Sequence, residues 1–192
     1  MNEGRLVARA RRGDPSAWVA LVGEHQQAVF RLAYLMLGDA DDAEDVAQDA
    51  FVRAYRALGT FETDRPLRPW LLGIAANLAR NRQRAAGRYR AALERFFGAD
   101  RRVAAGDATT SVTETVAARD EARLLWQAVR RLEPPDQEVL YLRYFLELSE
   151  SETASSLGVA PGTVKSRSHR ALIRLREVVG REFPALSEGG KA

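Results

Sequence analysis

The stretch that most constrains the fold is 136–179, which divides into three helical runs separated by short breaks. In the third run, small or apolar residues recur at the spacing of one helix face, at Val164, Ala171, Leu172, Leu175 and Val179. No acid occurs between residues 165 and 176. The opposite side of this run carries polar and basic residues: Thr163, Ser166, Arg167, Arg170 and Arg174. The pattern predicts a basic amphipathic helix.

A tight connection precedes this helix. Gly158 suits the left-handed conformation that ends many helices, and Pro161 suits the first turn of the next one. A helix, a glycine turn and a short basic helix are typical of the helix-turn-helix motif, whose second helix enters the DNA major groove. An ordinary helical hairpin with a solvated basic face has the same pattern, so both interpretations stay open on the residues alone.

Length and composition narrow the class of protein. A chain of 192 residues can form one large domain or two small ones. There is no cysteine, which excludes disulfides and thiolate metal sites, and two histidines cannot form a multi-histidine metal site. No apolar run has the length of a signal peptide core or a membrane span. We expect a soluble, cytoplasmic protein without membrane insertion, cofactor or metal.

The first long helix is predicted between Asp14-Pro15 and Gly38, with an apolar stripe along 17–37. His25 lies on that stripe, where we expect a packed residue rather than a ligand. The next helix begins with an acidic block, 39–49, as the positive end of a helix dipole favours. Its apolar face leaves five residues on the opposite side: Asp45, Gln48, Asp49, Val52 and Arg56.

Three interpretations of this acidic side compete. It could be merely solvated, its carboxylates could hold Mg²⁺ or Mn²⁺ for hydrolysis, or it could dock on another protein. A metal enzyme would bring further carboxylates or histidines from a second helix, and the neighbouring helices offer few. Val52 among charged residues favours a docking surface.

Residues 59–69 form a predicted loop, and the helix that follows changes character after Leu78. Beyond that point arginine and asparagine line one side, at Asn77, Arg80, Asn81, Arg84 and Arg88. A frayed, solvated helix end is one interpretation. A loop with an aromatic residue beside a run of arginine is also what binding of single-stranded DNA requires.

The composition of 98–115 is small and polar, which indicates a flexible linker. We therefore expect an N-terminal domain at 1–97, a linker at 98–117, a C-terminal domain at 118–180 and a tail at 181–192. Both domains are predicted to be small and all-α.

Three segments resemble one family. Residues 157–171 resemble the recognition helix of the C-terminal domain (region 4) of bacterial extracytoplasmic-function (ECF) sigma factors, and 42–55 resembles sigma region 2.2. Residues 61–84, with Pro-Trp-Leu-Leu-x-Ile-Ala-x-Asn at their centre, resemble regions 2.3 and 2.4. The resemblance implies two partners, core RNA polymerase (its beta-prime coiled coil and beta flap) and promoter DNA. It also implies an inhibitory anti-sigma factor.

The resemblance also implies roles for individual residues. Core polymerase would be bound by Asp45, Gln48, Asp49 and Val52. The minus-ten element would be melted and held by Phe61, Glu62, Thr63, Asp64, Arg65, Asn77, Arg80, Asn81 and Arg84. The minus-thirty-five duplex would be read by Thr163, Lys165, Ser166, Arg167, Arg170 and Arg174. Glu150, Thr153 and Ser168 depart from the family pattern, which has large apolar residues there, and each loss forfeits about 1–3 kcal/mol of burial.

We thus expect an all-α sigma factor, itself not an enzyme, that directs promoter-specific transcription initiation. One alternative is a free-standing helix-turn-helix regulator, which would leave the acidic helix unexplained. The other is the metal-dependent hydrolase built on 39–49.

Overall fold

The structure, a computed structural model, describes residues 3–62, 65–97, 116–184 and 186, and side chains within that range except at 90–97 and 116–120. Over this part of the chain all regular structure is helical, as predicted. The chain divides into two compact units, one containing the helices before residue 98 and the other formed mainly by those after 115. The predicted linker lies almost wholly outside the described residues, and the domain boundaries in the sequence stay predictions.

The first unit contains four helices, α1 (Glu3–Arg11), α2 (Pro15–Leu37), α3 (Ala40–Ala57) and α4 (Leu67–Phe97), with a short 3-10 turn at Leu58–Thr60. Local chemistry sets their ends. The Asp14 carboxylate accepts hydrogen bonds from the first free N–H groups of α2, and Gly38 ends that helix with a φ of 77°. Asp39 caps α3 in the same way through the N–H of Asp42 at 2.9 Å. The predicted starts and stops here are confirmed.

Helix α2 is the centre of this unit, since it contacts α1, α3 and α4, and α3 also contacts α4. Its buried stripe includes Leu21, Val29 and Leu32. Helix α3 faces it with small residues, Ala43, Ala47, Ala50 and Ala54, which allow a close approach. Leu71 and Leu72 of α4 complete the interior. Each buried leucine contributes roughly 1.5–3 kcal/mol, so this packing holds the outer faces of α3 and α4 in place.

The second unit contains α5 (Val116–Val129), α6 (Pro134–Leu140), α7 (Glu150–Leu157) and α8 (Pro161–Glu182). Helix α6 continues into one π-helical turn, Tyr141–Phe145, which the sequence did not predict. The buried Tyr141 ring packs edge-on against Phe145 at a centroid distance of 5.6 Å, and burial raises the pKa of its hydroxyl. Helices α5 and α6 both contact α8.

The helix-turn-helix connection has the predicted chemistry. Ser149 and Glu152 form a reciprocal capping box at the start of α7. Gly158 ends α7 with a φ of 66°, and Pro161 occupies the first position of α8. The three helical runs of 136–179 are therefore confirmed as α6, α7 and α8.

Two expectations about this unit are corrected. The buried stripe of α8 runs through Val164, Ser168, Ala171 and Val178, whereas Leu172 is 41% exposed. A spacing of 3.6 residues per turn carries the buried stripe to positions 168 and 178, and the serine at 168 breaks the apolar pattern there. Glu150 is exposed in the first turn of α7, where a carboxylate suits the helix dipole, so no apolar burial is lost there.

Candidate polymerase and nucleic-acid surfaces

The acidic side of α3 is solvent-facing. All four residues assigned to polymerase binding, Asp45, Gln48, Asp49 and Val52, are exposed, and they lie on the side opposite the buried alanines. We call these four residues the acidic face. Val52 is 48% exposed, so it adds an apolar group to the solvent-facing carboxylates. Asp49 makes no ion pair within the described part of the chain, so its charge is available to a partner.

One arginine of α4 contacts this face. Arg82 forms an ion pair with Asp42 and places Nη2 3.2 Å from Oδ2 of Asp45. The hydrogen bonds to Asp42 chiefly raise the pKa of Arg82, with a smaller contribution from Asp45 and an opposing one from burial. All three side chains are at least 40% exposed, so the pair orients the carboxylates more than it stabilises the fold. The sequence did not predict this link.

A groove of about 720 Å³ lies between α2 and α3 beside the acidic face. Its lining combines apolar and amide side chains with one carboxylate: Val22, Gln26, Gln27, Phe30, Glu44, Ala47, Gln48 and Phe51. Gln48 belongs to both the groove and the acidic face, where its amide Nε2 lies 3.4 Å from Glu44. The groove thus extends the acidic face towards α2.

The connection before α4 holds Phe61 inward. Phe61 is 6% exposed and packs on Trp70 with 4.8 Å between ring centroids. Its neighbours are outward, and Glu62 pairs with Arg65 at 2.8 Å. Thr63 and Asp64, also assigned to the minus-ten element, lie outside the described residues. The ring of Phe61 is therefore part of the interior beneath the connection and is not exposed on its surface.

The polar strip on α4 is mostly open to solvent. Asn77, Asn81 and Arg84 are exposed, and Arg80 is half-buried with its Nη2 donating to Oδ1 of Asn77 at 2.7 Å. We call Asn77, Arg80, Asn81 and Arg84 the α4 strip. Arg84 and Asn81 make no hydrogen bond to another side chain within the described part of the chain, so the strip presents both a charged group and an amide to solvent. Such a surface suits phosphates and unpaired bases.

The basic side of α8 is exposed at Lys165, Ser166, Arg170 and Arg174, and half-buried at Thr163 and Arg167. We call these six residues the α8 face. They are not equivalent. The guanidinium of Arg174 forms an ion pair with Asp136 of α6, whose side chain is only 7% exposed, so Arg174 also ties α8 to the rest of its unit. Arg170 and Lys165 have no such partner among the described residues.

Two hydroxyls beside this helix are buried without a partner. The Oγ atoms of Thr153 and Ser168 have no hydrogen bond within the described protein. Both positions had been singled out as departures from the family pattern. A buried hydroxyl without a partner costs free energy, so the expected loss of stability has a visible cause at these two positions.

The acidic block does not form a metal cluster. Within the described residues, one group of three potential metal ligands has its ligand atoms within 4.8 Å of one another. It consists of Glu3, Glu24 and His25, and none of these lies in 39–49. His25 is 5% exposed, and its Nε2 lies 3.1 Å from Oε1 of Glu3. The expectation that His25 is a packed residue is confirmed by its burial, and two carboxylates of α3, Asp42 and Asp45, pair with Arg82.

Comparison with known proteins decides the family. The sigma-70 region 2 family matches residues 21–89, and the sigma-70 region 4 family matches 122–175. The chain is 30% identical over 183 residues to the ECF RNA polymerase sigma factor SigW of Bacillus subtilis, covering 90% of this chain and 94% of that one. The chain belongs to the ECF sigma factors.

Solved structures agree with this assignment. The sigma factor CnrH, in a complex with the cytosolic domain of CnrY, superposes with a TM-score of 0.69 at 29% identity, covering 94% of this chain and 98% of that one. The sigma factor RpoE of Bartonella quintana, in complex with the anti-sigma factor NepR, has a TM-score of 0.66 over 85% of this chain and 96% of that one. At 24% identity the second likeness supports the fold alone.

This ECF sigma factor therefore directs promoter-specific transcription initiation by RNA polymerase, with region 2 in the first unit and region 4 in the second. Sigma regions 2 and 4 bind core polymerase and promoter DNA. No helix in the described part of the chain is long and apolar enough to cross a membrane.

Proposed function

We propose that this ECF sigma factor binds core RNA polymerase through the acidic face. The observation that carries the proposal is the position of Asp49, an exposed carboxylate without an ion pair, one turn from the exposed Val52. A charged group next to an apolar one gives a partner both steering and buried contact area. Arg82 orients Asp45 beside them, and Gln48 joins the face to the α2–α3 groove.

We propose that the minus-ten element is melted and held by the connection before α4 together with the α4 strip. In this assignment Arg84 and Arg80 contact phosphates, and Asn77 and Asn81 offer amides to unpaired bases. Glu62 and Arg65 stand at the surface of the connection, while Phe61 supports it from the interior. Thr63 and Asp64 belong to the same assignment by sequence alone.

We propose that the α8 face reads the minus-thirty-five element as duplex. Lys165, Arg167 and Arg170 supply the donors that phosphates and guanine edges accept, and Thr163 and Ser166 supply hydroxyls near the start of the helix. Arg174 contacts the backbone at most with the part of its guanidinium that Asp136 leaves open.

The polymerase makes the phosphodiester bonds, so we propose that the sigma factor itself catalyses no reaction and needs no cofactor. Its place is the cytoplasm, where polymerase and promoter DNA are. An anti-sigma factor is the regulator that the family resemblance implies, and the exposed Val52 offers it an apolar contact.

Asp49→Arg tests the docking assignment most directly. We expect retention on purified core polymerase to fall by at least a hundredfold, because the substitution replaces an attractive charge by a repulsive one at a buried contact. The matched control is Asp41→Arg, an exposed acid of the same helix outside the acidic face. Equal retention of the Asp49 variant and the wild type would overturn the assignment.

Retention on core polymerase also separates this function from a free-standing helix-turn-helix regulator, which has no need of the enzyme. Two results would exclude the hydrolase alternative. Isothermal titration of Mg²⁺ or Mn²⁺ into the protein would release no heat, and the Asp45→Asn variant would keep its fold and metal content.

A further inference from the structure

Helix α1 has no role in the assignments above, and it precedes the residues 21–89 that match sigma region 2. It nevertheless makes two long-range polar contacts to one segment of the chain. The Nε of Arg11, at its C-terminal end, donates to the carbonyl of Leu58 at 2.8 Å. The Oε2 of Glu3, at its N-terminal end, accepts from the backbone N–H of Leu67 at 3.1 Å.

These two contacts hold the two ends of one connection. Leu58 begins the 3-10 turn after α3, and Leu67 is the first residue of α4. The residues between them include Phe61, Glu62 and Arg65 of the proposed minus-ten surface. A single helix thus spans the entrance and the exit of the segment that carries these residues.

The contact at Leu67 gives a hydrogen-bond acceptor to a backbone N–H at the start of α4. The first N–H groups of a helix have no partner within the helix, and the residue before Leu67 is Pro66, whose side chain cannot accept a hydrogen bond. Leu67 is fully buried, so water does not satisfy its N–H in place of Glu3. Glu3 therefore acts as the N-cap of α4 from 64 residues away.

Helix α1 is itself held firmly. Leu6, Val7 and Ala10 are buried, and α1 packs on α2. The second oxygen of Glu3, Oε1, lies 3.1 Å from Nε2 of the buried His25 on α2, so the capping carboxylate is fixed on both sides. The position of α1, which carries Glu3 and Arg11, is therefore fixed by packing in the core of the unit and does not depend on the connection.

We propose that α1 is a positioning element for promoter opening, in which Glu3 and Arg11 fix the separation and direction of the two chain ends that carry the minus-ten residues. The proposal rests on the minus-ten assignment made above. It leaves polymerase docking untouched, because neither anchor contacts the acidic face of α3. Glu3 and Arg11 act through the backbone of Leu67 and Leu58 and need not touch DNA.

The experiment uses the full chain with core polymerase. For Glu3→Ala and Arg11→Ala we expect permanganate reactivity of the minus-ten thymines to fall by about five- to tenfold, the factor that one lost hydrogen bond represents. Retention on core polymerase stays within about twofold, because the acidic face is unchanged. Glu3→Gln keeps an acceptor oxygen for the N–H of Leu67 and should recover most of the opening.

A template with an unpaired minus-ten segment separates positioning from general damage. On this pre-opened promoter the alanine variants should transcribe like the wild type, which a protein that is merely less folded would not do. Arg12→Ala is the matched control, since Arg12 directly follows the last residue of α1 and is exposed.

Two results would overturn the inference: wild-type opening in both alanine variants, or equal loss of polymerase retention and opening without recovery on the pre-opened template. Arg84→Ala distinguishes this from failure of the minus-ten assignment. If Arg84→Ala impairs opening while the α1 variants do not, the role of α1 is wrong and the minus-ten surface stands. If Arg84→Ala also opens promoters normally, the minus-ten assignment is wrong.

Discussion

In the first unit the buried ring of His25 bonds to Glu3, whereas in the second unit the buried hydroxyls of Thr153 and Ser168 have no partner. The contrast extends further. Over the described residues, all four buried side-chain polar atoms without a hydrogen bond belong to the second unit, the other two being Nη1 of Arg130 and Nε of Arg143. Among the described residues, every buried side-chain polar atom of the first unit has a hydrogen-bond partner, whereas four in the second unit have none.

The backbone follows the same division. The first unit uses glycine at its left-handed positions, Gly13 and Gly38. The second unit uses Gly158 at the end of α7, but it places Glu147 at a φ of 57° after the π-helical turn. A residue with a Cβ costs about 1 kcal/mol in this conformation. Within the part of the chain that is described, Glu147 alone among non-glycine residues has a positive φ.

The difference predicts which of the two units has the lower free energy of unfolding. The first unit has a satisfied interior that supports the acidic face, the connection and the α4 strip together. The second unit retains unpaired polar atoms and one strained residue, so we expect it to unfold at lower denaturant concentration. Hydrogen exchange of peptides from each unit, measured by mass spectrometry in increasing urea, tests this order.

The largest effect is expected from the ion pairs. Arg174→Ala should lower the free energy of unfolding of the second unit by about 1–3 kcal/mol, because it leaves the buried carboxylate of Asp136 without its cation, although the exposed guanidinium moderates the loss. Arg82→Ala, which breaks an exposed pair in the first unit, should change that unit by less than about 1 kcal/mol. Equal losses in the two units would contradict the comparison.

Removal of an unpaired hydroxyl should stabilise the second unit. Thr153→Val keeps the side-chain shape and deletes the buried oxygen without a partner, so we expect the free energy of unfolding to rise by about 1–2 kcal/mol. The matched control is Thr60→Val in the first unit, where the exposed hydroxyl donates to the carbonyl of Ala57 at 2.9 Å and should give no gain. Urea unfolding of the two variants measures both changes. A loss on Thr153→Val would mean that the hydroxyl has a partner.

Substitutions at the two left-handed positions, Glu147 and Gly38, should change the free energy of unfolding in opposite directions. Glu147→Gly should stabilise the second unit by about 0.5–1 kcal/mol, since relief of the strain outweighs the added freedom of the unfolded chain. Gly38→Ala should destabilise the first unit by about 1 kcal/mol for the converse reason. Thermal unfolding followed by circular dichroism checks both signs, and a destabilising Glu147→Gly would show that the turn is not strained.

The smallest effect is a pH dependence of the first unit. The hydroxyl of Ser16, followed by Arg9, lowers the pKa of Asp14 from 3.8 to about 2. Because the folded pKa is the lower one, the contribution of Asp14 is complete above pH 3.8 and is lost as the pH falls towards about 2. Asp14→Asn keeps a capping oxygen and should flatten the stability of the first unit over that interval. If the free energy of unfolding of Asp14→Asn falls with pH as steeply as that of the wild type, the acid sensitivity comes from other carboxylates.

Much of this arrangement was predictable because its causes are local. Asp14, Gly38, Gly158 and Pro161 set helix ends through their own backbone chemistry, and the periodicity of α3 predicted which residues are exposed. The membership in the sigma family followed from three segments that resemble the family in the expected order, and both family matches agree with it.

The rest depends on contacts between distant residues. Helix α1 has three buried residues and gains its partners from α2 and from both ends of the connection, which no short window of sequence reveals. The inward position of Phe61 depends on Trp70, and the engagement of Arg174 depends on Asp136, 38 residues away. The π-helical turn has no local signature. Thr153 and Ser168 could be flagged only because the family pattern supplied a reference.

If the α8 face binds duplex DNA as proposed, the pairing of Arg174 with Asp136 should change how that binding depends on salt concentration. Each phosphate neutralised by a free cation releases condensed counterions and adds about 0.9 to the slope of log affinity against log salt concentration. Lys165, Arg167 and Arg170 can each contribute such a step, but Arg174 arrives with its charge already balanced inside the protein. Ionic strength should therefore weaken upstream promoter binding less steeply than four cations on one helix would suggest.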